Sequence, residues 1–494
     1  MTSLLTRSEV ELRPDARRVL ARLFVPGQEH FSVGESRATG VLRRVLDLPE
    51  EQVEETLRDV LQRFGARHRN LPGILGRHYK QVAHRIPENE VLATSRRDLV
   101  GAYFTSEFAI EGAALFNPSI VRHPDQSGVP DDCCRLLLSL RAVGEGHLSC
   151  IEFRTGLLGP GPTLTFDPPG RHAETAAAEP TWHDTVLFDD LLHEAGADEE
   201  SCRYLRSRLE ERFDEPTLRQ ALNALEGQLV TRAGGAHTAE LARALVRCTY
   251  EVTFPPESSV AERVLWPQTP LERGGLEDLR LARFVDDEGA VCYLGTYTAF
   301  DGSAIAPQLL CTEDFRTFRM SQLAGPAAKD KGFALFPRKV AGTWLALSRS
   351  DRESSGIATS VDGVRWGASV PLQQPVGTWE LLQTGNCGSP VETCDGWLVI
   401  THGVGPMREY ALGALLLDLD DPTRVIGRLS EPLLAPTEDE RDGYVPNVVY
   451  SCGSLAFGEV LLLPYGVSDS SVRFAFVDLP ALLARMTTAE NSAS

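Results

Sequence analysis

One acid and several cations form the set of residues whose types and spacing could do chemistry. The acid is Asp278, which lies in the run Gly-Gly-Leu-Glu-Asp-Leu-Arg that ends at Arg280. Basic side chains occur near the ends of later apolar runs, at Lys331, Arg349 and His402. Cations can hold a small anion, and a carboxylic acid among them can serve as a proton donor beside that anion. If the fold brings these residues together, they form an anion site next to an acid.

The elements that would position these residues are repeated along the chain. From about residue 105, a short motif followed by an aliphatic strand recurs five times, and the last four motifs lie 58, 53 and 56 residues apart. One four-stranded propeller blade needs roughly 40–50 residues. The sequence therefore predicts an all-β core folded as a five-bladed β-propeller, in which inner strands bring distant residues to one channel. A β-sandwich has similar strands but gives no reason for the repeat.

Each candidate residue also has a structural alternative. A turn cap paired with Arg280 is as good an explanation of Asp278 taken alone. A surface ion pair with Asp351 would explain Arg349, and a histidine that ends a strand, such as His402, is often structural. The functional interpretation is favoured because these residues occupy equivalent places in different repeats.

Two segments outside the repeat have helical patterns. Residues 50–64 place apolar side chains on one face of an amphipathic helix, and residues 167–245 contain three further runs of helical periodicity. We therefore predict a helical N-terminal extension over 1–104, a propeller domain over 105–485 and a helical insertion over 167–245 within the first blade.

Composition and charge count against several classes of protein. Sixty-nine acidic and 49 basic residues give a net charge of −20, whereas nucleic-acid binding needs a basic surface. The eleven histidines form no HxxH or HExxH motif, so no metal site is expected. No apolar run approaches the roughly 18 residues of a membrane span, and the amino terminus lacks the apolar region of a signal peptide. We expect a cytoplasmic protein without a nucleic-acid or membrane partner.

Five motifs together carry a resemblance to a known family. They are Gly-Gly-Leu-Glu-Asp278-Leu-Arg280, Leu335-Phe-Pro-Arg-Lys-Val, Asp395-Gly-Trp-Leu-Val-Ile-Thr-His402-Gly-Val, Tyr444-Val-Pro-Asn-Val-Val and Pro464-Tyr-Gly-Val-Ser-Asp469. They resemble the blade motifs of glycoside hydrolase family 130, the β-mannoside phosphorylases and related β-mannosidases, over residues 105–165 and 250–480. The resemblance implies a propeller with the active site at its axis, and an enzyme that cleaves β-mannosides with inversion and yields α-mannose 1-phosphate.

The resemblance also implies roles for individual residues. Asp278 matches the single catalytic acid of the family, which protonates the glycosidic oxygen while phosphate attacks the anomeric carbon from the opposite face. One protein carboxylate suffices because phosphate is already a nucleophile at neutral pH. The matches to phosphate-binding positions are Lys331, Arg349 and His402. The matches to substrate-binding positions are Asn117, Arg141, Arg280, Tyr465 and Asp469.

One departure from the family pattern keeps alternatives open. Many phosphorylases of the family carry a lysine where this sequence has Glu392. A carboxylate there would repel phosphate and could act as the general base of an inverting β-mannosidase that uses water. A non-catalytic propeller that binds a glycan or protein is a further alternative. We prefer phosphorolysis, with a β-mannoside oligosaccharide and inorganic phosphate as partners and no cofactor. The helical additions either close one side of the site or build a homo-oligomer.

Overall fold

The predicted segments fall largely within the residues that the computed structural model describes, which are 4–27, 37–86, 91–227 and 234–489. Parts of the predicted helical segments lie outside these residues, namely 28–36 and 87–90 of the extension and 228–233 of the insertion. Within the described part, no helix is long and apolar enough to cross a bilayer.

The amino-terminal region begins with a strand, β1 (Leu5–Leu12), where we expected part of a helical extension. This strand belongs to the larger of two units, which comprises Met1–Pro14, Ala113–Pro169 and Thr175–Ser494. Leu5 pairs with Val477, near the other end of the chain. The strand was missed because its partner is remote in sequence and local periodicity does not reveal such a pairing.

The smaller unit, Asp15–Gly112 with Gly170–Glu174, is mainly helical. Its elements are β2 (Val19–Leu23), α1 (Arg37–Leu46), α2 (Glu50–Phe64), α3 (Leu71–Val82), α4 (Thr94–Tyr103) and β3 (Thr105–Ala109), with β2 and β3 paired antiparallel. The helix predicted over 50–64 is confirmed. Arg96 of α4 donates to the carbonyls of Val45 and Leu46, which end α1 and have no partner within the helix.

The first strand group of the larger unit and the helical insertion come next along the chain. The group consists of β4 (Ala114–Arg122), β5 (Cys134–Val143), β6 (Ser149–Leu158) and β7 (Leu164–Phe166). The elements that follow are β8 (Ala178–Pro180), β9 (His183–Asp184), α5 (Thr185–Glu194), α6 (Glu199–Arg206), β10 (Arg212–Phe213), α7 (Glu215–Glu226), α8 (Gly235–Leu245), β11 (Tyr250–Thr253) and β12 (Val264–Leu265).

Aspartates begin three of the insertion helices. The side chains of Asp184, Asp198 and Asp214 accept hydrogen bonds from backbone N–H groups in the first turns of α5, α6 and α7, which satisfies donors that the helix leaves open. The apolar faces of these helices pack together in a core of their own that includes Phe188 and Leu205. The insertion is therefore a small helical layer with its own hydrophobic centre.

Four further groups of antiparallel strands complete the larger unit, and the first of these four is joined to the preceding group in one sheet, because Gly275 pairs in parallel with Ser149 of β6. The second group consists of β13 (Gly275–Val285), β14 (Val291–Phe300), β15 (Ile305–Thr312) and β16 (Thr317–Gln322), and β11 and then β8 extend its outer edge. The third group consists of β17 (Ala334–Leu335), β18 (Trp344–Ser348), β19 (Ser355–Ser360) and β20 (Val370–Gln373).

The last two groups share one design, in which two short strands pair with the same long strand. In the fourth group β21 (Gln383–Asn386) and β22 (Val391–Glu392) pair with β23 (Trp397–Val404), followed by β24 (Tyr410–Leu417) and β25 (Val425–Arg428). In the fifth, β26 (Val449–Tyr450) and β27 (Leu455–Phe457) pair with β28 (Val460–Val467), followed by β29 (Ser471–Asp478) and then β1. The helix α9 (Leu479–Ala489) follows β29. The fold is mostly β with helical insertions.

Candidate active site

A cavity of about 180 Å³ receives side chains from all five strand groups. Its lining residues are Phe116, Asn117, Arg141, Asp278, Lys331, Arg349, Gln383, His402, Arg408, Tyr410, Val445, Val448, Tyr450 and Asp469. Seven of the residues predicted for the site are among them: Asn117, Arg141, Asp278, Lys331, Arg349, His402 and Asp469. The repeat therefore places residues from distant parts of the sequence around one cavity, as predicted.

Irregular strand backbone aims the two central side chains. Asn117 and Asp278 lie at register shifts in β4 and β13, and their φ angles are 48° and 57°. This left-handed region is uncommon for residues other than glycine, and Asn and Asp adopt it more readily than most. The Nδ2 of Asn117 donates to Oδ1 of Asp278 over 2.5 Å. The two bulges thus bring the first strands of two groups together at the acid.

Asp278 is surrounded by cations. Arg141 donates from Nη1 to its Oδ1 over 3.2 Å, and Arg280 donates from Nη1 to its backbone carbonyl over 2.9 Å. Burial alone would raise the pKa of Asp278, but the positive charges of Arg141, Lys331 and Arg280 outweigh it and hold the pKa well below its usual range. The acid is therefore ionised at neutral pH while the cavity contains only protein groups.

Glu277 is a site residue that the sequence analysis did not identify. Its carboxylate accepts from Nη2 of Arg141 over 2.5 Å and pairs with Nζ of Lys331. Neighbouring residues on a regular strand point to opposite faces, so Glu277 was not expected beside Asp278. The bulge cancels this alternation, since Arg141 contacts both carboxylates. Glu277 therefore holds two of the predicted cations in place.

Arg349 and His402 form a second pair on the cavity wall. Arg349 donates from Nη1 to Nε2 of His402 over 3.1 Å. Burial, together with the charges of Arg349 and Arg280, lowers the pKa of His402 well below its usual value. The imidazole is therefore neutral, and its Nε2 is an acceptor that orients Arg349.

Several buried polar atoms of the cavity have no hydrogen-bond partner within the described part of the chain. They are Asn117 Oδ1, Arg141 Nε and Arg349 Nε. Buried polar groups nearly always have partners, and exceptions require an explanation. Unsatisfied donors and an acceptor on one cavity wall are suited to a polar ligand.

Asp469 supplies a second carboxyl group to the same cavity. It lies between β28 and β29, with a φ angle of 48°. Burial and the negative charge of Asp278 raise the pKa of Asp469 to about 6. The two carboxyl groups therefore differ, because Asp278 is held ionised by cations and Asp469 takes up a proton in mildly acidic solution.

Arg280 lies behind the cavity and contacts its lining. Its side chain is buried and donates to the hydroxyl of Tyr450 over 2.9 Å and to the carbonyl of Cys387 over 3.0 Å. It also donates to the backbone carbonyl of Asp278. Arg280 therefore positions the acid and Tyr450 from behind, rather than contacting a ligand as predicted.

Tyr465 does not reach the cavity, contrary to the prediction. It is fully buried and donates to Oε1 of Glu440 over 2.7 Å. The neighbouring Gly466 lies on the other face of β28, where a side chain would meet the backbone of Asn117. A shift of one residue moves a side chain to the opposite face of a strand, so the glycine faces the first group and the tyrosine does not.

Glu392 also lies away from the predicted site. Its two carboxylate oxygens accept from Nε and Nη2 of Arg338 over 2.9 and 2.6 Å. The pair borders a different cavity, of about 310 Å³. Glu392 lies on the short strand β22, which pairs with the start of β23. His402 lies near the other end of β23. The structure therefore does not place Glu392 in the cavity where the alternative of a water-using β-mannosidase needs its base.

Arg408 and Tyr410 are among the seven lining residues that were not predicted from the sequence. Arg408 ends a turn between β23 and β24 and has a φ angle of 59°, and its guanidinium lies 6.0 Å from the centre of the Tyr410 ring. The matching turn of the first group ends at His147, whose φ angle is 61°. Comparison of the turns between repeats would have marked this position, whereas comparison of motifs and strands did not.

The charges of the lining residues define the kind of site. Four cations, Arg141, Lys331, Arg349 and Arg408, line the cavity with two carboxylates, and a third carboxylate, that of Glu277, pairs with two of these cations. Among the described residues, the group of His, Cys and Asp side chains with metal-ligand spacing lies elsewhere, in the helical insertion. The molecule is thus a mostly β protein with a small cavity in which cations surround one ionised acid.

Comparison with known proteins is consistent with this class. The family model described as beta-1,4-mannooligosaccharide phosphorylase matches residues 252–487. A 1,2-beta-oligomannan phosphorylase from Thermoanaerobacter sp. (strain X514) is 33% identical over 220 residues, which cover 44% of this chain and 72% of that protein. A beta-1,4-mannooligosaccharide phosphorylase from Ruminococcus albus is 34% identical over 177 residues, 33% of this chain and 52% of that protein.

A solved structure of beta-1,2-mannobiose phosphorylase from Listeria innocua, in complex with beta-1,2-mannobiose, aligns with 77% of this chain and 93% of its own, at 21% identity and a TM-score of 0.46. The family model and the sequence relatives settle the family. The chain belongs to glycoside hydrolase family 130, and the resemblance predicted from the motifs is confirmed.

Proposed function

We propose that this protein cleaves β-mannosides by phosphorolysis and releases α-mannose 1-phosphate. Its relatives are phosphorylases of mannobiose and mannooligosaccharides. The observation that carries the proposal is the cavity itself, in which four cations surround an ionised acid. Such a site has the charge to hold a phosphate dianion beside a residue that can carry a proton.

Arg349, Lys331 and Arg408 would bind phosphate. Arg349 suits this role because His402 orients its guanidinium and its buried Nε lacks a partner in the described protein. His402 is neutral and accepts from Arg349, so its part is to position this arginine. The bound phosphate needs no general base, since it is a nucleophile at neutral pH.

Binding of phosphate would also prepare the acid. The cations around Asp278 keep its pKa low in the free protein. A phosphate dianion near the same cations offsets their charge, so the pKa of Asp278 rises and the carboxyl group takes up a proton. A phosphate oxygen then forms a bond to the anomeric carbon as the glycosidic bond breaks, and the proton of Asp278 passes to the departing oxygen. Attack from the opposite face converts the β-mannoside to the α-phosphate.

Asn117, Arg141 and Asp469 would hold the mannosyl unit. All three line the cavity, and Asn117 and Arg141 also contact the acid directly. Asp469, when ionised, can accept hydrogen bonds from two sugar hydroxyl groups. This arrangement ties the position of the sugar to the position of Asp278.

The strand groups support a five-bladed propeller as the scaffold. Each of the five groups contributes to the lining of one cavity, as the inner strands of a propeller would. In the fifth group, β1 pairs with β29, so the start of the chain completes the last group. We propose a propeller over 105–485 that also includes β1, with the helical insertion over 167–245 within its first blade. The protein is a cytoplasmic enzyme that needs no cofactor and uses inorganic phosphate as co-substrate.

Hydrolysis loses the support that Glu392 gave it, because Glu392 does not line the cavity. The alternative required Glu392, which pairs with Arg338 beside another cavity. The non-catalytic alternative leaves the ionised acid among cations without a purpose. Phosphorolysis is therefore the one function that we propose.

The direct test is to incubate the protein with β-1,2-mannobiose and with β-1,4-mannobiose, in the presence and absence of phosphate. We expect mannose 1-phosphate, detected by phosphorus NMR, with at least one of the two disaccharides and in phosphate only. Free mannose formed at the same rate without phosphate would overturn the proposal in favour of hydrolysis. The proton NMR coupling of the product reports whether the anomeric configuration is α.

A further inference from the structure

Three side chains of the helical insertion converge at a point remote from the active-site motifs. Asp189 and His193 lie one turn apart on α5, and Cys202 lies on α6. One ligand atom from each residue lies within 4.8 Å of the other two. An oxygen, a nitrogen and a sulfur donor therefore share a small volume between two helices.

The surroundings of these donors are suited to metal binding. One carboxylate oxygen of Asp189, Oδ2, lies 3.3 Å from Nη1 of Arg206, and the other, Oδ1, lies 3.7 Å from Nδ1 of His193. The other ring nitrogen of His193, Nε2, is 2.8 Å from a carboxylate oxygen of Glu199. A carboxylate on the second ring nitrogen is the usual partner of a metal-binding histidine, because it fixes the tautomer and the ring orientation.

The three donors differ in how deeply they are buried. Cys202 and Asp189 are buried, whereas the side chain of His193 is 40% exposed. His193 also borders a cavity of about 420 Å³. An ion could therefore enter past His193, and a water molecule could complete its coordination on the open side.

We propose that Asp189, His193 and Cys202 bind one zinc ion. Zinc takes sulfur, nitrogen and oxygen ligands at about 2.0–2.3 Å in a tetrahedral arrangement, so neighbouring ligands lie roughly 3.3–3.8 Å apart. The side chains need to move by little to reach this geometry. His193 Nδ1 now hydrogen-bonds to the carbonyl of Asp189 over 2.7 Å; ligation exchanges that bond for the metal, and the thiol of Cys202 releases its proton.

The ion would link two short helices. α5 has 10 residues and α6 has 8, and helices of this length are marginal by themselves. A ligand that binds only the folded state stabilises it. No metal was expected from the sequence, because these donors follow the mixed spacing Asp-x3-His-x8-Cys and not a paired-histidine motif. The proposal does not depend on the reaction at the active site.

Cobalt is the probe that tests the cysteine directly. The full-length protein is treated with a chelator, desalted and titrated with Co²⁺ and, separately, with Zn²⁺. We expect one ion per chain by elemental analysis, and a near-ultraviolet absorption band from charge transfer between thiolate and cobalt. Cys202→Ser should abolish this band, while Cys394→Ser, which changes an exposed cysteine, should retain it. A band that persists in C202S, or cobalt binding without a band, overturns the proposal.

His193→Ala provides the second readout, because this exposed position should tolerate truncation without unfolding. We expect the zinc affinity of H193A to fall at least tenfold. Its helix content, measured by circular dichroism, should equal that of the wild type. Zinc should raise the Tm of the chelator-treated wild type and leave the Tm of H193A unchanged. Equal zinc affinity in the two proteins would refute the site.

Discussion

At the scale of single residues, the site depends on carboxyl groups whose neighbours set their charge. Asp278 and Asp469 line one cavity, yet cations lower the pKa of the first and burial raises that of the second. Such opposed shifts mark groups with different tasks. Asp278 is suited to carry a proton once phosphate has offset its cations, and Asp469 is suited to accept hydrogen bonds.

The first prediction concerns the acid. Asp278→Asn keeps the shape of the side chain but removes its proton transfer, a contribution of about 10²- to 10⁴-fold. We expect kcat for phosphorolysis to fall by that factor, with an unchanged circular dichroism spectrum. Glu392→Gln is the matched control and should retain activity, because Glu392 lies beside another cavity. Full activity in D278N would refute the assignment of the acid.

The second prediction concerns the free energy of unfolding, which the ionised side chain of Asp469 lowers. Its pKa of about 6 in the folded protein lies above the usual value, so the folded state holds this proton more tightly than the unfolded state. Asp469 therefore destabilises the fold above pH 6, by about 2–3 kcal/mol at most, and this cost disappears as the pH falls towards 4. Asp469→Asn removes the charge and should unfold at higher urea concentration than the wild type at pH 7.5.

The pH dependence of this difference distinguishes it from a general effect of the substitution. The gap between the urea midpoints of D469N and the wild type should shrink between pH 6 and pH 4.5, since the protonated aspartate resembles asparagine. A gap that is constant over this range would contradict the explanation. D469N should also bind mannosides more weakly, which would explain why a destabilising group is present.

The third prediction separates positioning from binding. His402→Ala removes the acceptor for Arg349 Nη1, and hydrogen bonds to charged groups contribute about 1.5–3 kcal/mol. We expect the KM for phosphate to rise about tenfold or more, with a smaller change in the KM for the mannoside. Arg338→Ala is the control, because Arg338 lies outside the active-site cavity. Equal changes in both KM values would indicate general disruption instead.

At the scale of elements, the sequence analysis was most accurate where the pattern was local. It identified α2 and the recurring motifs, because helical spacing and repetition can be read from neighbouring residues. It missed β1, whose partner is β29 near the other end of the chain. It also missed Glu277, because a bulge cancels the alternation on which strand interpretation rests.

The fourth prediction concerns the element that was missed. Removal of residues 1–12 deletes β1 and leaves β29 as an exposed edge, which can pair with other chains. We expect a lower Tm and concentration-dependent light scattering. Glu9→Gln, at an exposed position of the same strand, should behave as the full chain does. An unchanged Tm after truncation would show that β1 contributes nothing to the fold.

At the scale of the whole molecule, repetition explains what the sequence could predict about the site. Seven of the nine residues predicted for phosphorolysis line one cavity, because equivalent places in repeats converge. The two exceptions have physical causes: Tyr465 faces away because Gly466 occupies the inner face, and Arg280 is held behind the acid by Tyr450. The face of the strand on which a residue lies, and how deeply it is buried, depend on contacts between strand groups. A linear sequence motif does not contain these contacts.

The overall charge leads to the last prediction. A chain of net charge −20 should repel anions in general, so its four cavity cations make phosphate binding local and specific. Four cations lie around three carboxylates there, Asp278, Asp469 and Glu277, and an added anion relieves the repulsion among the cations. Phosphate should therefore raise the Tm, with a stabilisation of about 2.7 kcal/mol at a concentration one hundred times its Kd. Sodium chloride at equal ionic strength should give little effect, and Arg349→Ala should lose most of the increase. The same rise with chloride, or in R349A, would mean that the anion acts on the surface as a whole and not at this cavity.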